Sequence, residues 1–317
     1  MLPTPAEVIA AAHRVRGVVA RTPLVRSPAL SEIAGVDVYL KCENEQVTGS
    51  FKLRGAYNAL ATLSADSRER GIVASSAGNH GLGIAHAARL LGVRARIFVP
   101  STAPRVKRDG ILALGAEVDE SQPHYDAAHH AAVEYATAHD MTFVNPCAGD
   151  TLLAGQGTVA LEILEELPDV RTLAVPVGGG GLVGGVAALV RAVAPAVRII
   201  GAQSENTNAM AESLAAGRRV DVAVPPTLAD GLAGQIDDEG FEIGKRSIDQ
   251  MIVVSEEAVA SAIAWLAKEH GARVEGSGAC GVAALLGATA GEFDGPIAVI
   301  VSGGNIDSAR WAGIVGQ

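Results

Sequence analysis

The sequence predicts an α/β fold with two domains, each built on a mainly parallel, twisted sheet that helices cover on both faces. The chain has 317 residues, which is enough for two domains of about 150 residues each. Strand-like and helix-like segments alternate along nearly the whole chain, a pattern typical of parallel sheets packed against helices. Hydrophobic residues make up 49% and aromatic residues only 3%, so Ala, Val, Leu and Ile must form the core.

In the first half, short runs rich in β-branched residues alternate with longer segments that have helical spacing. Ser50 is predicted to cap the helix that follows it, because a serine hydroxyl can accept from the first backbone amides. The predicted strands are 36–41, 71–75, 94–99, 116–118 and 142–144. The predicted helices are 5–19, 50–63, 79–91, 104–114 and 125–139.

The second half repeats the alternation. The predicted strands are 172–177, 197–202, 251–254 and 296–301. The predicted helices are 157–167, 181–193, 208–216, 256–270 and 278–290. Residues 217–240 form a long, polar loop containing Pro and Gly, and a loop of that length is often functional. We expect no appended regulatory domain after the final strand.

Composition excludes several classes of protein. The net charge is −10, and the densest basic stretch, residues 105–108, is too short for a nucleic-acid surface. The three cysteines, Cys42, Cys147 and Cys280, lack CxxC spacing, so neither a disulfide framework nor a zinc site is predicted. No signal peptide is expected, and the longest apolar run, 178–190, is too short to span a bilayer. We therefore expect a cytoplasmic enzyme with no membrane partner.

The first motif with chemical potential is residues 48–56, TGSFKLRGA, at a helix start. Lys52 lies between Phe51 and Leu53, and a lysine among apolar neighbours can be desolvated so that its amine attacks a carbonyl. For this motif alone, a solvated lysine on an amphipathic helix is the alternative.

The second motif is residues 75–81, SSAGNHG, between a strand and a helix. Small residues leave backbone amides free to hold a carboxylate, and the helix dipole adds to the attraction. The amide of Asn79 could also bond a phenolic oxygen. A plain turn capped by Asn79 is the alternative, with His80 as a turn residue.

The third motif is the glycine run of residues 178–181, after a buried strand and before a helix. Four successive glycines expose backbone amides to one anion, as a phosphate requires. A flexible turn is one alternative, and a dinucleotide site is another. No acidic residue ends the next strand, which weakens the dinucleotide interpretation. A fourth, smaller signal is Ser302, whose hydroxyl could bond a ring nitrogen unless it is an ordinary helix cap.

Taken together, the ordered motifs resemble the fold-type-II pyridoxal-phosphate enzymes, and in particular the threonine/serine dehydratases, which are related to serine racemases. The resemblance runs from Arg21-Thr22-Pro23-Leu24 to Ser302. It rests on SFKLRGA, SAGNH, AGQGT at 154–158, GGGGL, ADGLA at 229–233 and SGGN. It implies a large cofactor-binding domain, residues 1–61 and 150–317, and a small domain, residues 62–149, that closes over the substrate. It also implies a homo-oligomer, either a dimer or a tetramer.

The resemblance also implies a role for each site residue. Lys52 would bond covalently to the cofactor aldehyde, with Phe51 against one ring face. Asn79 would bond the ring hydroxyl and Ser302 the pyridine nitrogen. The cofactor phosphate would be held by the backbone amides of Gly178, Gly179, Gly180, Gly181 and Leu182. The substrate carboxylate would be bound by the turn formed by Ser76, Ala77, Gly78, Asn79 and His80.

The implied reaction is β-elimination of water from L-threonine or L-serine, which gives a 2-oxo acid and ammonia. Lys52 would remove the α-proton as general base. Because Ser302 is neutral, it cannot hold the ring nitrogen protonated, and elimination should be favoured over transamination.

Three departures from relatives refine this expectation. Ala77 stands where serine racemases carry the serine that re-protonates the α-carbon, so racemisation should be poor. Gln203 and Ala209 stand where an acidic pair holds a divalent cation in some relatives, and Glu205 alone is an ordinary loop residue, so no metal is expected. Cys147 occupies a position that is often polar in the substrate pocket; either it is an unreactive buried thiol, or the substrate differs from threonine.

Four functions therefore remain open. The first is the dehydratase. The second is racemisation, β-replacement or elimination from another β-hydroxy amino acid, such as 3-hydroxyaspartate or phenylserine. The third is a non-catalytic binding protein, which the retained Lys52 disfavours. The fourth is a nicotinamide dehydrogenase.

Overall fold

A computed structural model describes residues 2–103 and 105–316, and it contains two separate sheets. The strands are β1 (Leu24–Arg26), β2 (Val38–Lys41), β3 (Ile72–Ser75), β4 (Ala95–Pro100), β5 (Glu117–Gln122), β6 (Thr142–Phe143), β7 (Thr172–Pro176), β8 (Arg198–Ser204), β9 (Gln250–Val254) and β10 (Ile297–Ile300). The six-stranded sheet has the order β1-β2-β10-β7-β8-β9, and the four-stranded sheet has the order β5-β4-β3-β6. All neighbouring strands are parallel except β1 and β2. The predicted α/β class with mainly parallel sheets is confirmed.

Fourteen α-helices lie within the described residues. They are α1 (Pro5–Val15), α2 (Pro28–Ala34), α3 (Lys52–Ala61), α4 (Ala65–Arg70), α5 (Asn79–Leu91), α6 (Arg105–Ala113), α7 (Tyr125–Ala138), α8 (Asp150–Glu166), α9 (Gly181–Val193), α10 (Ala209–Ala216), α11 (Asp238–Ser247), α12 (Glu256–His270), α13 (Gly276–Leu286) and α14 (Ser308–Val315). The predicted start of α6 at Pro104 lies outside the described residues.

Helices cover both faces of the six-stranded sheet because alternate residues of its buried strands point to opposite sides. In β7, Leu173 and Val175 pack in one core cluster with α1, α8 and α9. Ala174 between them packs in a second cluster with α2, α12 and α13. A third cluster covers one face of the four-stranded sheet and includes the apolar side chains of α3, α5 and α6.

Several sequence predictions were wrong in detail. Ser50 does not cap α3: the cap position is Phe51, and Ser50 instead pairs with Gly303 in an isolated antiparallel bridge. The first helix ends at Val15 rather than at residue 19. The predicted 217–240 loop is interrupted by the short 3₁₀ helix Asp230–Leu232 and ends in the first turn of α11, which the sequence analysis missed. The analysis also missed β1, α2, α4 and α14, which are short.

The most informative error concerns α8, which begins at Asp150 and not at residue 157. Glycines in the motif at 154–158 argue against a helix on propensity, but close packing requires them. A Cβ on Gly155 would lie 2.5 Å from the carbonyl oxygen of Arg54 in α3. A Cβ on Gly185 in α9 would lie 2.4 Å from the carbonyl oxygen of Leu153. Helix α8 is thereby held tightly between α3 and α9.

A buried ion network fixes α3 on the other side. Arg54 is fully buried, and it donates to Glu43 and to Glu162, with its Nη1 2.7 Å from Glu162 Oε1. Lys41 in β2, also fully buried, lies 2.6 Å from Glu162 Oε2 and completes a balanced set of two cations and two carboxylates. Burial acts to raise the pKa of Glu43, but the charge and hydrogen bonds of Arg54 outweigh it and lower that pKa.

The end of α3 and the start of α8 are in contact, although the smaller sheet separates them in sequence. Near the end of α3, the Asn58 side chain donates to the carbonyl oxygen of Thr151 in the first turn of α8, at 2.7 Å. All four strands of the smaller sheet lie between these two residues in sequence. The smaller sheet is therefore an insertion between α3 and α8.

The glycine packing predicts the stability of two matched variants. We expect Gly155→Ala to lower the melting temperature, because overpacking against the Arg54 carbonyl costs about 1–3 kcal/mol. Gly313→Ala in α14 is the control, because a Cβ there meets nothing within 4 Å and alanine favours a helix by about 0.5–1 kcal/mol. Thermal unfolding followed by circular dichroism measures both. Equal melting temperatures for the two variants would show that the close approach of α8 to α3 is not required.

Candidate active site

Three of the four predicted motifs directly follow strands. The Ser76 turn follows β3, the glycine run follows β7, and Ser302 follows β10. In parallel α/β sheets, ligands bind at the carboxyl ends of the strands. The backbone amide of Phe51, next to Lys52, donates to the carbonyl oxygen of Ser302 at 3.2 Å, which joins the first and fourth motifs.

Lys52 is the first residue of α3 and is half-buried. Its Nζ donates a hydrogen bond of 2.9 Å to the carbonyl oxygen of Pro146, which the sequence analysis did not single out. The same Nζ lies 5.2 Å from the centroid of the Phe51 ring. Lys52 is therefore held among apolar neighbours by a single carbonyl oxygen.

The glycine run lies against the same segment. A Cβ on Gly181 would be 3.4 Å from the Pro146 carbonyl oxygen, and a Cβ on Gly179 would be 2.6 Å from Cys147 Sγ. The Pro146 carbonyl thus lies beside both the Lys52 amine and the glycine run, so the two motifs meet in one site as the sequence predicted.

The backbone of the run suits an anion. Gly180 has a φ of +98° and occupies the N-cap position of α9, a conformation that disfavours any side chain. The 13-residue helix α9 begins directly after it, so its first backbone amides have no partner within the helix. The arrangement can bind a phosphate at the positive end of a helix.

Asn79 is held from both ends of its amide. Its Nδ2 donates to Glu275 Oε1 at 2.6 Å, and its Oδ1 accepts from Asn305 Nδ2 at 2.7 Å. Sequence analysis missed Glu275 and Asn305 as members of the site. The available signal for Glu275 was a lone acidic residue before the small-residue run that opens α13.

Glu275 is almost fully buried. Burial raises the pKa of its carboxyl to about 7, and the negative charge of Asp230 adds to that rise. Asp230 forms an ion pair of 2.9 Å with Lys107 in α6, so an ion pair between the long loop and α6 lies near Glu275.

The Ser76–His80 turn offers backbone rather than side-chain groups. Ser76 Oγ accepts from the backbone amide of Gly78 at 3.1 Å. His80 is buried, with Nε2 3.1 Å from the Val144 carbonyl oxygen, and burial together with the charge of Lys52 lowers its pKa to about 3. The His80 ring is therefore neutral, and the amides in the first turn of α5 are the groups that remain for a carboxylate. Whether Ser76, Ala77, Gly78, Asn79 and His80 contact the substrate stays a prediction.

Ser302 is buried as a residue, directly after β10. Its position next to Phe51 fits the expected contact with a ring.

The candidate cation position is occupied by protein contacts. Gln203 Nε2 donates to the Thr207 carbonyl at 2.6 Å, and Glu205 Oε1 accepts from the Glu256 amide at 3.0 Å. Among the described residues there is no cluster of three or more His, Cys, Asp or Glu side chains that could hold a metal.

The three cysteines are unpaired. As for the membrane, the described helices include none that combines the length and apolar character needed to cross one.

Comparison with known proteins agrees with this geometry. Residues 15–303 match the family described as pyridoxal-phosphate dependent enzyme. The chain is 45% identical to L-threonine ammonia-lyase of Thermotoga maritima over 299 residues, which are 94% of this chain and 74% of that protein.

Two solved structures are similar over their whole fold. Maize serine racemase superposes with a TM-score of 0.93 at 31% identity, covering 100% of this chain and 98% of that one. Threonine deaminase isoform 2 of Solanum lycopersicum superposes with a TM-score of 0.90 at 31% identity, covering 99% of this chain and 90% of that one. The family match favours a cofactor phosphate, and not a dinucleotide, as the ligand of the glycine run. The chain belongs to the family of pyridoxal-phosphate dependent enzymes.

Proposed function

We propose that the chain is an ammonia-lyase that converts L-threonine, L-serine or both to a 2-oxo acid and ammonia. The observation that carries the proposal is the Lys52 amine held by the Pro146 carbonyl beside the glycine run. The 45% identity to a threonine ammonia-lyase supports the substrate class.

The residues present fit pyridoxal phosphate. Gly178–Gly181 and Leu182 would hold its phosphate through backbone amides at the start of α9. Lys52 would bond to its aldehyde, and Phe51 would lie against its ring. The Ser302 hydroxyl would meet the ring nitrogen, and the second N–H of Asn79 would meet the ring oxygen.

When bound, the cofactor supplies an electron sink for the charge that develops on the substrate α-carbon. The first-turn amides of α5 bind and orient the substrate carboxylate. The Lys52 amine, which is free once the substrate amine has replaced it at the aldehyde, removes the α-proton and holds it on Nζ beside the Pro146 carbonyl, which accepts a hydrogen bond from the protonated amine. The neutral His80 ring adds no positive charge next to that amine.

The β-hydroxyl then leaves as water after it takes up a proton, supplied by Lys52 Nζ or by the cofactor phosphate. The released enamine hydrolyses with one water to the 2-oxo acid and ammonia, so the net change is loss of ammonia. Ser302 favours this course because a neutral hydroxyl cannot hold a proton on the ring nitrogen as a carboxylate would.

Elimination is favoured over racemisation by Ala77. The overall fold is similar to that of a serine racemase, but the methyl group of Ala77 cannot return a proton to the α-carbon. Cys147, beside the glycine run, favours one alternative, namely elimination from another β-hydroxy amino acid such as 3-hydroxyaspartate or phenylserine. An ammonia-release assay with added cofactor over L-threonine, L-serine, 3-hydroxyaspartate and phenylserine distinguishes the candidates.

We also propose a cytoplasmic homo-oligomer with two domains, residues 1–61 with 150–317 and residues 62–149. Three unpaired cysteines are typical of a reducing compartment. The division into domains is supported by the two sheets, whose strands fall on either side of these boundaries.

Lys52→Ala tests the proposed base. We expect ammonia release from threonine to fall by about 10²- to 10⁴-fold, the range for loss of a general base, and the visible absorption of the bound cofactor to change. Lys268→Ala is the control, since that side chain is 81% exposed. Full turnover by the Lys52 variant would remove Lys52 from the reaction.

Ala77→Ser tests the proposed basis of reaction choice. We expect the variant to gain measurable interconversion of L- and D-serine, because a hydroxyl there can donate a proton to the α-carbon. Chiral chromatography of serine, in parallel with the ammonia assay, measures both reactions. A folded, cofactor-bound variant that releases ammonia but forms no D-serine would show that position 77 does not face the α-carbon.

A further inference from the structure

Hydrogen bonds link the buried carboxyl of Glu275 to the half-buried amides of Asn79 and Asn305 in a single chain. Glu275 lies at the start of α13, Asn79 at the start of α5, and Asn305 after β10. The chain therefore joins the insertion that contains the smaller sheet to the part of the protein that contains the glycine run. It lies directly at Gly303, where a Cβ would be 2.5 Å from Glu275 Oε1 and 3.2 Å from Asn79 Nδ2.

The hydrogen-bond chemistry fixes which way the Asn79 amide faces. Asn305 Nδ2 also donates to the Thr48 carbonyl oxygen at 2.8 Å, so an NH₂ group faces the Asn79 oxygen, and the Asn79 NH₂ group must face Glu275. The Asn79 oxygen is then left to accept from Asn305, as observed. Of the two N–H bonds on Nδ2, one is committed to Glu275 and the other has no acceptor among the described residues.

We propose that Glu275 is a positioning residue of the reaction centre, which acts by orienting the Asn79 amide so that its second N–H is presented to the cofactor ring oxygen. The inference rests on the proposed function only in placing Asn79 at that ring. Without Glu275, the Asn79 NH₂ group loses its acceptor, and Asn305, which also donates to the Thr48 carbonyl at 2.8 Å, holds the amide by its oxygen alone. The direction of the second N–H is then less tightly fixed toward the ring oxygen.

The Glu275 carboxyl also has an unusual pKa. Burial and, after it, the charge of Asp230 raise the pKa of Glu275, while Asn79, Lys107 and the Asn305 backbone amide oppose that rise. Because the pKa of Glu275 in the folded protein, about 7, lies above the ordinary value of 4.5, the native state binds this proton more tightly than the unfolded state does. Its contribution to stability is present at low pH and is lost as the pH rises through about 7.

The test compares Glu275→Ala, Glu275→Gln, Asn79→Ala and the double variant Glu275→Ala/Asn79→Ala, with Glu134→Gln as the control for loss of an exposed carboxylate. The measurements are the Kd of pyridoxal phosphate and the absorption maximum of the bound cofactor, and neither requires turnover. We expect Glu275→Ala and Asn79→Ala each to weaken binding by about tenfold, which is the loss of one charge-assisted hydrogen bond.

The double variant should be no weaker than either single variant, because both remove the same oriented N–H. Glu275→Gln should recover most of the affinity, since its amide oxygen can still accept from Asn79. Two results would overturn the proposal. One is a double variant whose Kd for pyridoxal phosphate is weaker by about 100-fold, the product of the two single effects. The other is a Glu275→Ala protein with the Kd and absorption maximum of the wild type.

Two further readouts keep the test decisive. If Glu275→Ala does not fold, Glu275→Gln still applies: its melting temperature relative to the wild type should rise as the pH increases from 5 to 8, and a constant difference would contradict the proposed buried carboxyl. If no β-hydroxy amino acid releases ammonia while the binding results are as expected, the proposed function fails and the role of Glu275 stands.

Discussion

The rest of the site depends on the buried ion pairs that the Arg54 guanidinium forms with Glu43 and Glu162. Arg54 lies two residues after Lys52, fully buried between the carboxylates of Glu43 and Glu162. Removing one partner from such a set leaves an uncompensated charge in the interior, which costs several kcal/mol. The network therefore determines where α3 begins and, with it, where the Lys52 amine lies.

The position of α3 in turn determines the positions of the other parts of the site. Helix α8 packs on α3 and α9 through glycines, and the glycine run leads directly into the first turn of α9. The Pro146 carbonyl accepts a hydrogen bond from Lys52 beside that run. The packing of α3, α8 and α9 thus positions the Lys52 amine relative to the glycine run.

Much of the fold could be predicted from the local sequence. The alternating pattern predicted the parallel sheets, and the bounds of α5, α9 and α12 agree with it because each starts or stops at a glycine or serine signal. The sequence prediction failed where packing outweighs propensity, as at Gly155 in α8, and where a cap is replaced by a distant contact, as at Ser50 with Gly303. Glu275 was missed because its partners, Asn79 and Asn305, are 196 and 30 residues away in sequence.

The contact between Asn58 and Thr151 has an evolutionary consequence. Because the polypeptide departs and returns at one place, the intervening 92 residues can be exchanged with little change in chain-closure entropy. Natural selection can then reshape the segment that supplies the Ser76 turn while Lys52 and the glycine run stay unchanged. A scaffold connected in this way can acquire new amino-acid preferences by recombination of a single continuous segment.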